Sequence, residues 1–310
     1  MRVAVIGAGG IGAVLAGVAA AAGHAVEIGV RTPIRTLSLQ SPGGEWSEVA
    51  VTVRTTAAEV DAPADVVLLT VKATDTASAA PWLDAWCRDG TVLGVVQNGL
   101  DQRSRVDDLV PAGAVVAPVL AYMAAERLSA GRVRHLAGRR LVVPAECQAP
   151  LAEALPSLRV AGTDDMNTEA WRKLLANAVA NPLTALTLRR VGVLAEPGMA
   201  DLAEGMLREA LAVGRASGAR LEESLVEQIL AGTAQYGPET GSSMLYDRLA
   251  GRNMEHRYIT GEVVRRGRAL GIPVPLNSVI LTLLDATDGG VDGRRSQSLG
   301  EGVGGGVDRN

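Results

Sequence analysis

The run Gly7-Ala8-Gly9-Gly10-Ile11-Gly12 is a G-x-G-x-x-G sequence, and its surroundings give it meaning. Before it stands Val3-Ala4-Val5-Ile6, a short apolar run rich in β-branched residues. After it comes Ile11–Ala22, an apolar stretch of helical length. A glycine run that closes a strand and opens a helix is the strand–turn–helix unit that cradles a dinucleotide. The first glycine permits the tight turn, the second lets backbone approach a pyrophosphate, and the third lets helix pack on strand. Free N–H groups at the helix start then face the phosphates. Outside that context the same glycines would be only an incidental turn.

The pattern continues. Ala25–Val30, Val66–Val71, Val92–Val96 and Val115–Leu120 read as further strands, each short, nearly all apolar and rich in valine, as buried parallel strands are. Ser78–Trp86 reads as another helix, and Val133–Leu136 and Leu141–Val143 as later strands. Strands alternating with helices predict an α/β fold with a Rossmann-type doubly wound sheet. From about Asp164 the period changes. Thr168–Leu188, Ala200–Ser217, Glu222–Gln235 and Glu255–Leu270 carry apolar residues at helical spacing, with Asp201-Leu202, Glu222 and Asn253 as starts and Gly218 and Gly271 as stops. At ~150 residues per domain, the 310 residues suit two domains. The expected division is a nucleotide-binding domain over 1–163, an all-helical C-terminal domain over 164–287 and a glycine-rich flexible tail over 288–310.

Composition excludes several classes. With 47% hydrophobic residues the chain can bury a core, which rules out a disordered protein. A net charge of −4 gives no electrostatic case for nucleic acid. No apolar run reaches the ~18 residues of a membrane helix. Cys87 and Cys147 form no CxxC and no metal pattern, and read as free thiols in a reducing cytoplasm. The N-terminus enters a strand at once, so a mature cytoplasmic start is expected. The basic residues are lopsided: only Lys72 and Lys173 are lysine, and the rest are arginine. A lysine that persists in such a chain is a candidate for work arginine cannot do.

The second strand bears on which nicotinamide is bound. An acid at its end would hold a ribose 2′-OH. Here that end is Val30-Arg31-Thr32, and Glu27 comes too early. Arg31 stands where a 2′-phosphate would lie, its planar fork suits phosphate, and Arg35 is near. The expected cofactor is therefore NADP (NADPH); otherwise Arg31 is a solvated arginine.

Lys173, Asn177 and Asn181 are spaced i, i+4, i+8 amid Leu, Ala and Val, so they share one helix face. Unpaired buried polar groups cost ~1–3 kcal/mol each, and a substrate could be the missing partner; a solvent-facing stripe is the plainer reading. Pro182 removes a helical N–H and predicts a kink. Lys72 and Asn98 end strands at the carboxyl edge of the sheet, where open α/β sheets bind ligands, although Asn98-Gly99 also suits a plain turn. Glu255, near a helix start, could simply complement the dipole.

In order, the blocks GAGGIG at 7–12, Val71-Lys72-Ala73, Gln97-Asn98-Gly99, WRKLLANAVANPLTAL at 171–186, SSMLYD at 242–247, Glu255 and GIPVPLN at 271–277 resemble the ketopantoate reductase family over about residues 1–285. The resemblance implies NADPH-dependent reduction of 2-dehydropantoate to pantoate, a 2-oxo acid substrate, and an active site between the two domains. It implies that Lys173 is the general acid and that Asn177, Asn181 and Ser243 hold substrate. Asn98 and Glu255 would lie where cofactor and substrate meet, with Lys72 near the cofactor. Departures from the family pattern fall at Met254, Arg257, Thr260 and Val191. The alternatives are a paralogue acting on another 2-oxo acid or ketone, and a non-catalytic NADP-binding sensor. The chain is expected to work as a monomer or homodimer.

Overall fold

The computed structural model describes residues 1–235 and 240–288. The tail expected over 288–310 lies, beyond Asp288, outside the described residues. Six parallel strands form the first sheet, which contains β1 (Arg2–Ile6), β2 (Ala25–Gly29), β5 (Thr52–Arg54), β6 (Val66–Leu69), β7 (Val92–Val95) and β8 (Val115–Pro118). Their order is β5-β2-β1-β6-β7-β8, so the chain winds outward from β1 in both directions. β1 is buried on both faces. Val3 and Val5 enter one core, while Ala4 and Ile6 enter the other.

Helix α1 (Gly10–Ala21) covers the first face. The opposite face is covered by α2 (Ala80–Trp86), whose Trp82 and Trp86 stack with ring centroids 5.0 Å apart. Gly29 in β2 makes room for them, since a Cβ there would lie 3.0 Å from both indoles.

A second sheet follows, which the alternation of apolar runs does not predict. It holds β3 (Leu37–Gln40), β4 (Trp46–Val49), β9 (Leu120–Ser129), β10 (Arg132–Pro144) and β11 (Arg159–Thr163). β10 pairs antiparallel with β9 along one edge; on the other it is parallel to β3 at its start and to β11 at its end. The two strands expected at Val133–Leu136 and Leu141–Val143 are thus one, interrupted by irregular register between His135 and Arg140. Gly138 takes φ +79° there. Leu37, Val49, Val133 and Leu141 of this sheet and Leu151 of α3 (Gln148–Ala154) share one core with α1, which lies between the two sheets.

After Thr163 the described residues contain no strand. Helices α4 (Met166–Thr187), α5 (Met199–Ala216), α6 (Leu225–Gln235), α7 (Ser243–Leu249), α8 (His256–Ala269) and α9 (Pro275–Asp288) follow. Asp165 caps α4 by accepting from Thr168 N at 3.1 Å. α4 packs against all five others. Its Trp171, Leu175 and Val179 lie fully buried in the helical core. α4 runs on through Pro182 to Thr187. Gly218 and Gly271 take φ +84° and +69° just past α5 and α8, the left-handed residue that ends a helix. Among the described residues no helix is long and apolar enough to cross a membrane.

Candidate active site

The glycine loop is shaped by three different constraints. Gly7 has φ +102°, and a Cβ on it would lie 2.9 Å from Val71 Cγ1. Gly12 has no room at all, because a Cβ would overlap Gly7 O and Thr70 Oγ1. Thr70 Oγ1 donates to Gly7 O at 2.6 Å and so ties the turn to β6. Gly10 meets the second sheet, where a Cβ would lie 2.9 Å from Ala125 O of β9. Ala8 and Ile11 are half-buried against the core between the sheets. Gly9, by contrast, faces open space. It begins α1 without a side-chain cap, and the first turn carries no acid. The N-terminal amides of α1 are therefore uncompensated, and a pyrophosphate fits there without a clash or a competing anion.

Past the end of β2, Arg31 is exposed and pairs with Asp75 Oδ2 at 3.1 Å. Asp75 belongs to a 3-10 turn over Ala73–Ala79. β6 ends at Leu69, and Lys72 begins this turn. Its ammonium crosses to the helical half, where it lies 2.6 Å from Asp247 Oδ2 of α7 and donates to the Asn253 carbonyl. Arg252 holds the other Asp247 oxygen at 3.1 Å.

A second crossing lies beside it. Glu255 is the residue before α8, but its side chain makes no cap bond. Instead Oε1 accepts from Ala73 N and Oε2 from Asn98 Nδ2, both at 3.0 Å. Asn98 follows β7, and Arg105 secures its loop by donating to the carbonyls of Asn98 and Leu100. The Arg105 guanidinium stacks 4.8 Å from the Tyr258 ring centroid of α8. Burial presses its pKa down, with the Glu255 carboxylate foremost in opposing that shift. At Gly99, φ +90° combines with close approach to Tyr258 O, so no side chain fits.

Lys173 projects from α4 with its Nζ 5.9 Å from the centroid of the Tyr122 ring on β9. The side chain keeps some exposure, yet the ammonium is crowded enough for burial to press its pKa from 10.5 down to about 8, the Glu255 carboxylate partly opposing. Asn177 is half-buried and Asn181 only 4% exposed. Neither side chain has a hydrogen-bond partner among the described residues. Ser243 is exposed at the start of α7. Its neighbour Ser242 does the local structural work, capping α7 through Leu245 N and meeting Thr184 Oγ1 of α4 at 2.6 Å.

The structure thus gathers Lys72, Asn98 and Glu255 at one crossing and sets Lys173 within reach of Glu255's field. Arg31 meets the same turn through Asp75, and Ser243 stands on α7 one turn before Asp247. Three participants escaped the sequence reading. Asp247 stands inside the SSMLYD block, whose spacing gives no hint of a lysine partner. Arg105 looked like one more arginine, and Tyr122 lies on a strand with no clear alternation. Cys87 and Cys147 are both buried, Cys87 in the core under α2 and Cys147 in the core between the sheets.

A glycine-looped, Rossmann-type parallel sheet followed by a helical half that carries the half-buried Lys173 is the architecture of a dinucleotide-binding protein. Sequence comparison narrows the class. The model described as Ketopantoate reductase PanE/ApbA matches residues 3–146, and the one described as Ketopantoate reductase PanE/ApbA C terminal matches residues 165–288. A Mycobacterium tuberculosis protein named 2-dehydropantoate 2-reductase is 36% identical over 294 residues, covering 93% of this chain and 98% of that one. The crystal structure of a PanE/ApbA family ketopantoate reductase from Ralstonia eutropha JMP134 superposes with a TM-score of 0.83 at 32% identity, over 93% and 99% of the two chains. A ternary structure of D-mandelate dehydrogenase with NADH and anilino(oxo)acetate shares the fold, with a TM-score of 0.82 at 19% identity over 93% and 98%. The chain belongs to the ketopantoate reductase family.

Proposed function

We propose that this chain is an NADPH-dependent reductase of 2-dehydropantoate, with its active site between residues 1–163 and 164–287. The observation that carries the reading is Lys173, a crowded ammonium with a lowered pKa on the same helix face as two unpartnered asparagines. The amides at the start of α1 would hold the pyrophosphate, Arg31 a 2′-phosphate, and Lys72, Asn98 and Glu255 the region where cofactor and substrate meet. When bound, the reduced cofactor supplies the hydride. The chain's own residues do the rest. Asn177, Asn181 and Ser243 orient the keto acid by hydrogen bonds. Lys173 donates its Nζ proton to the carbonyl oxygen as negative charge develops there, and its charge stabilises that oxygen beforehand. The test is loss of NADPH absorbance with 2-dehydropantoate, beside a panel of other 2-oxo acids and ketones. Turnover confined to a different keto acid would replace the substrate, and cofactor binding with no turnover on any would indicate a sensor.

The shared fold with D-mandelate dehydrogenase supports weighing a second substrate class, the aryl 2-oxo acids. Benzoylformate therefore belongs in the panel, paired with NADH as well as NADPH.

Arg31→Ala should raise the NADPH KM several-fold and leave NADH use nearly unchanged, because of the two cofactors only NADPH carries a 2′-phosphate for that fork. Steady-state kinetics with both cofactors checks this, and equal use of the two by the parent protein would remove the basis for NADP. Asn177→Ala and Asn181→Ala should each lower kcat/KM by roughly 10-fold or more, as loss of a ~1.5 kcal/mol hydrogen bond does. NADPH affinity, followed by fluorescence, should stay put. A parallel fall in cofactor affinity would mean that these asparagines serve the cofactor or the fold.

A further inference from the structure

The residues that flank Glu255 are gripped from behind by the last turn of α9. Met254 N donates to Asp288 Oδ1 at 3.3 Å. His256 Nε2 lies 2.9 Å from Asp285 Oδ1, and Arg257 Nε donates to the same oxygen at 2.9 Å. The His256 ring is only 1% exposed. Its Nδ1 has no hydrogen-bond partner and points to Asp288 Oδ2 at 3.8 Å. One carboxylate therefore holds the residue before Glu255, and the other holds the two residues after it.

None of this serves α9 by itself. Acids in a last helical turn oppose the helix dipole. An imidazole buried in place of an apolar side chain is unfavourable unless it is paired. The grouping makes sense as a mount. Glu255 gives up its local capping role and reaches across to Ala73 N and Asn98 Nδ2. A carboxylate sent that far is only as fixed as the backbone that carries it.

We infer that Asp285 and Asp288, acting on Met254 and His256, are positioning residues that hold the Glu255 carboxylate in place against Ala73 N and Asn98 Nδ2. The inference deepens the functional reading above, because it takes Glu255 and Lys173 as the site. Its test nevertheless needs no turnover.

With only two lysines in the chain, 13Cε-lysine labelling yields two NMR signals, and Lys72→Arg assigns them. In the parent protein the Lys173 signal should titrate near 8. Glu255→Gln removes the carboxylate that raises this value and should lower the midpoint, which sets the scale. Asp285→Ala/Asp288→Ala should move it part of the way to the Glu255→Gln value. Asp285→Asn/Asp288→Asn, which keeps oxygens to accept the same bonds, should stay close to the parent. A parental midpoint in the alanine variant would overturn the proposal. So would equal shifts in the alanine and asparagine variants, since bare charge would then act through space without any mounting. Circular dichroism and melting temperature verify that each variant is folded, and the single alanine variants carry the same comparison if the double one is not. Absence of turnover by the parent would sink the functional reading and leave this titration unaffected.

Discussion

Lys173→Ala should lower kcat for keto acid reduction by roughly 10²–10⁴-fold, the range that general acid catalysis supplies, with NADPH affinity little changed. Burial sets a pH signature for the parent enzyme. With the Lys173 pKa pressed down to about 8, the ammonium is the prevailing form below that pH and is lost above it. Since the reduction consumes the ammonium's proton, kcat/KM, which follows the free enzyme, should be level on the acid side of about 8 and fall about tenfold per unit on the alkaline side. Lys173→Arg separates charge from proton. Arginine keeps the charge but holds its proton too tightly to donate. It should restore substrate affinity and not rate, and the alkaline limb near 8 should vanish from whatever rate remains. Near-parental kcat in the arginine variant would mean that Lys173 acts as a fixed charge and that water delivers the proton.

Gly12→Ala should be the most damaging single methyl in the nucleotide-binding half. The added carbon would overlap Gly7 O and Thr70 Oγ1, and the first of these is backbone inside the tight turn that opens α1. Such overpacking costs ~1–3 kcal/mol, which for a chain of 310 residues corresponds to a Tm lower by roughly 2–5 °C. Gly9→Ala is the matched control. Its Cβ would meet nothing within 4 Å, so the Tm should hold while NADPH affinity falls, because the methyl enters the space left for phosphate. Thermal melts beside cofactor titrations of the two variants test the pair. A Gly12→Ala protein with parental Tm would show that the turn can relax around the extra carbon.

The parallel strands were legible because each is buried on both faces, which leaves an unbroken valine-rich run such as Val66–Leu69. The long helices were legible because α4, α5 and α8 each bury one side at helical period. The second sheet was not, and the reason is physical. Strands such as Leu37–Gln40 and Trp46–Val49 are short and partly exposed, so no period emerges. In β10 the irregular stretch around Gly138 cuts one strand into two apparent ones. Helix α7 has seven residues, too few for a periodic signal. At the candidate site the shared face of Lys173, Asn177 and Asn181 is a property of one helix and can be counted along the chain. The reach of Lys72 to Asp247, or of Glu255 to Asn98, spans well over a hundred residues and depends on how the two halves meet. No local pattern encodes that, and the same holds for the turn of α9 behind Glu255.

Strand β9 touches both ends of the proposed chemistry. Its Ala125 carbonyl packs on Gly10 of the phosphate loop, and its Tyr122 ring lies under Lys173, three residues away. Three residues of extended chain measure about 10 Å, and here the irregular register between His135 and Arg140 puts its extra residues on β10, leaving β9 extended. β9 is thus a measuring rod shared by the proposed cofactor anchor and the proposed proton donor. A part of the spacing between them is read off the one strand. An insertion or deletion of one residue between Tyr122 and Ala125 would shift one mark against the other by about 3.3 Å, enough to misalign the proposed hydride and proton transfers.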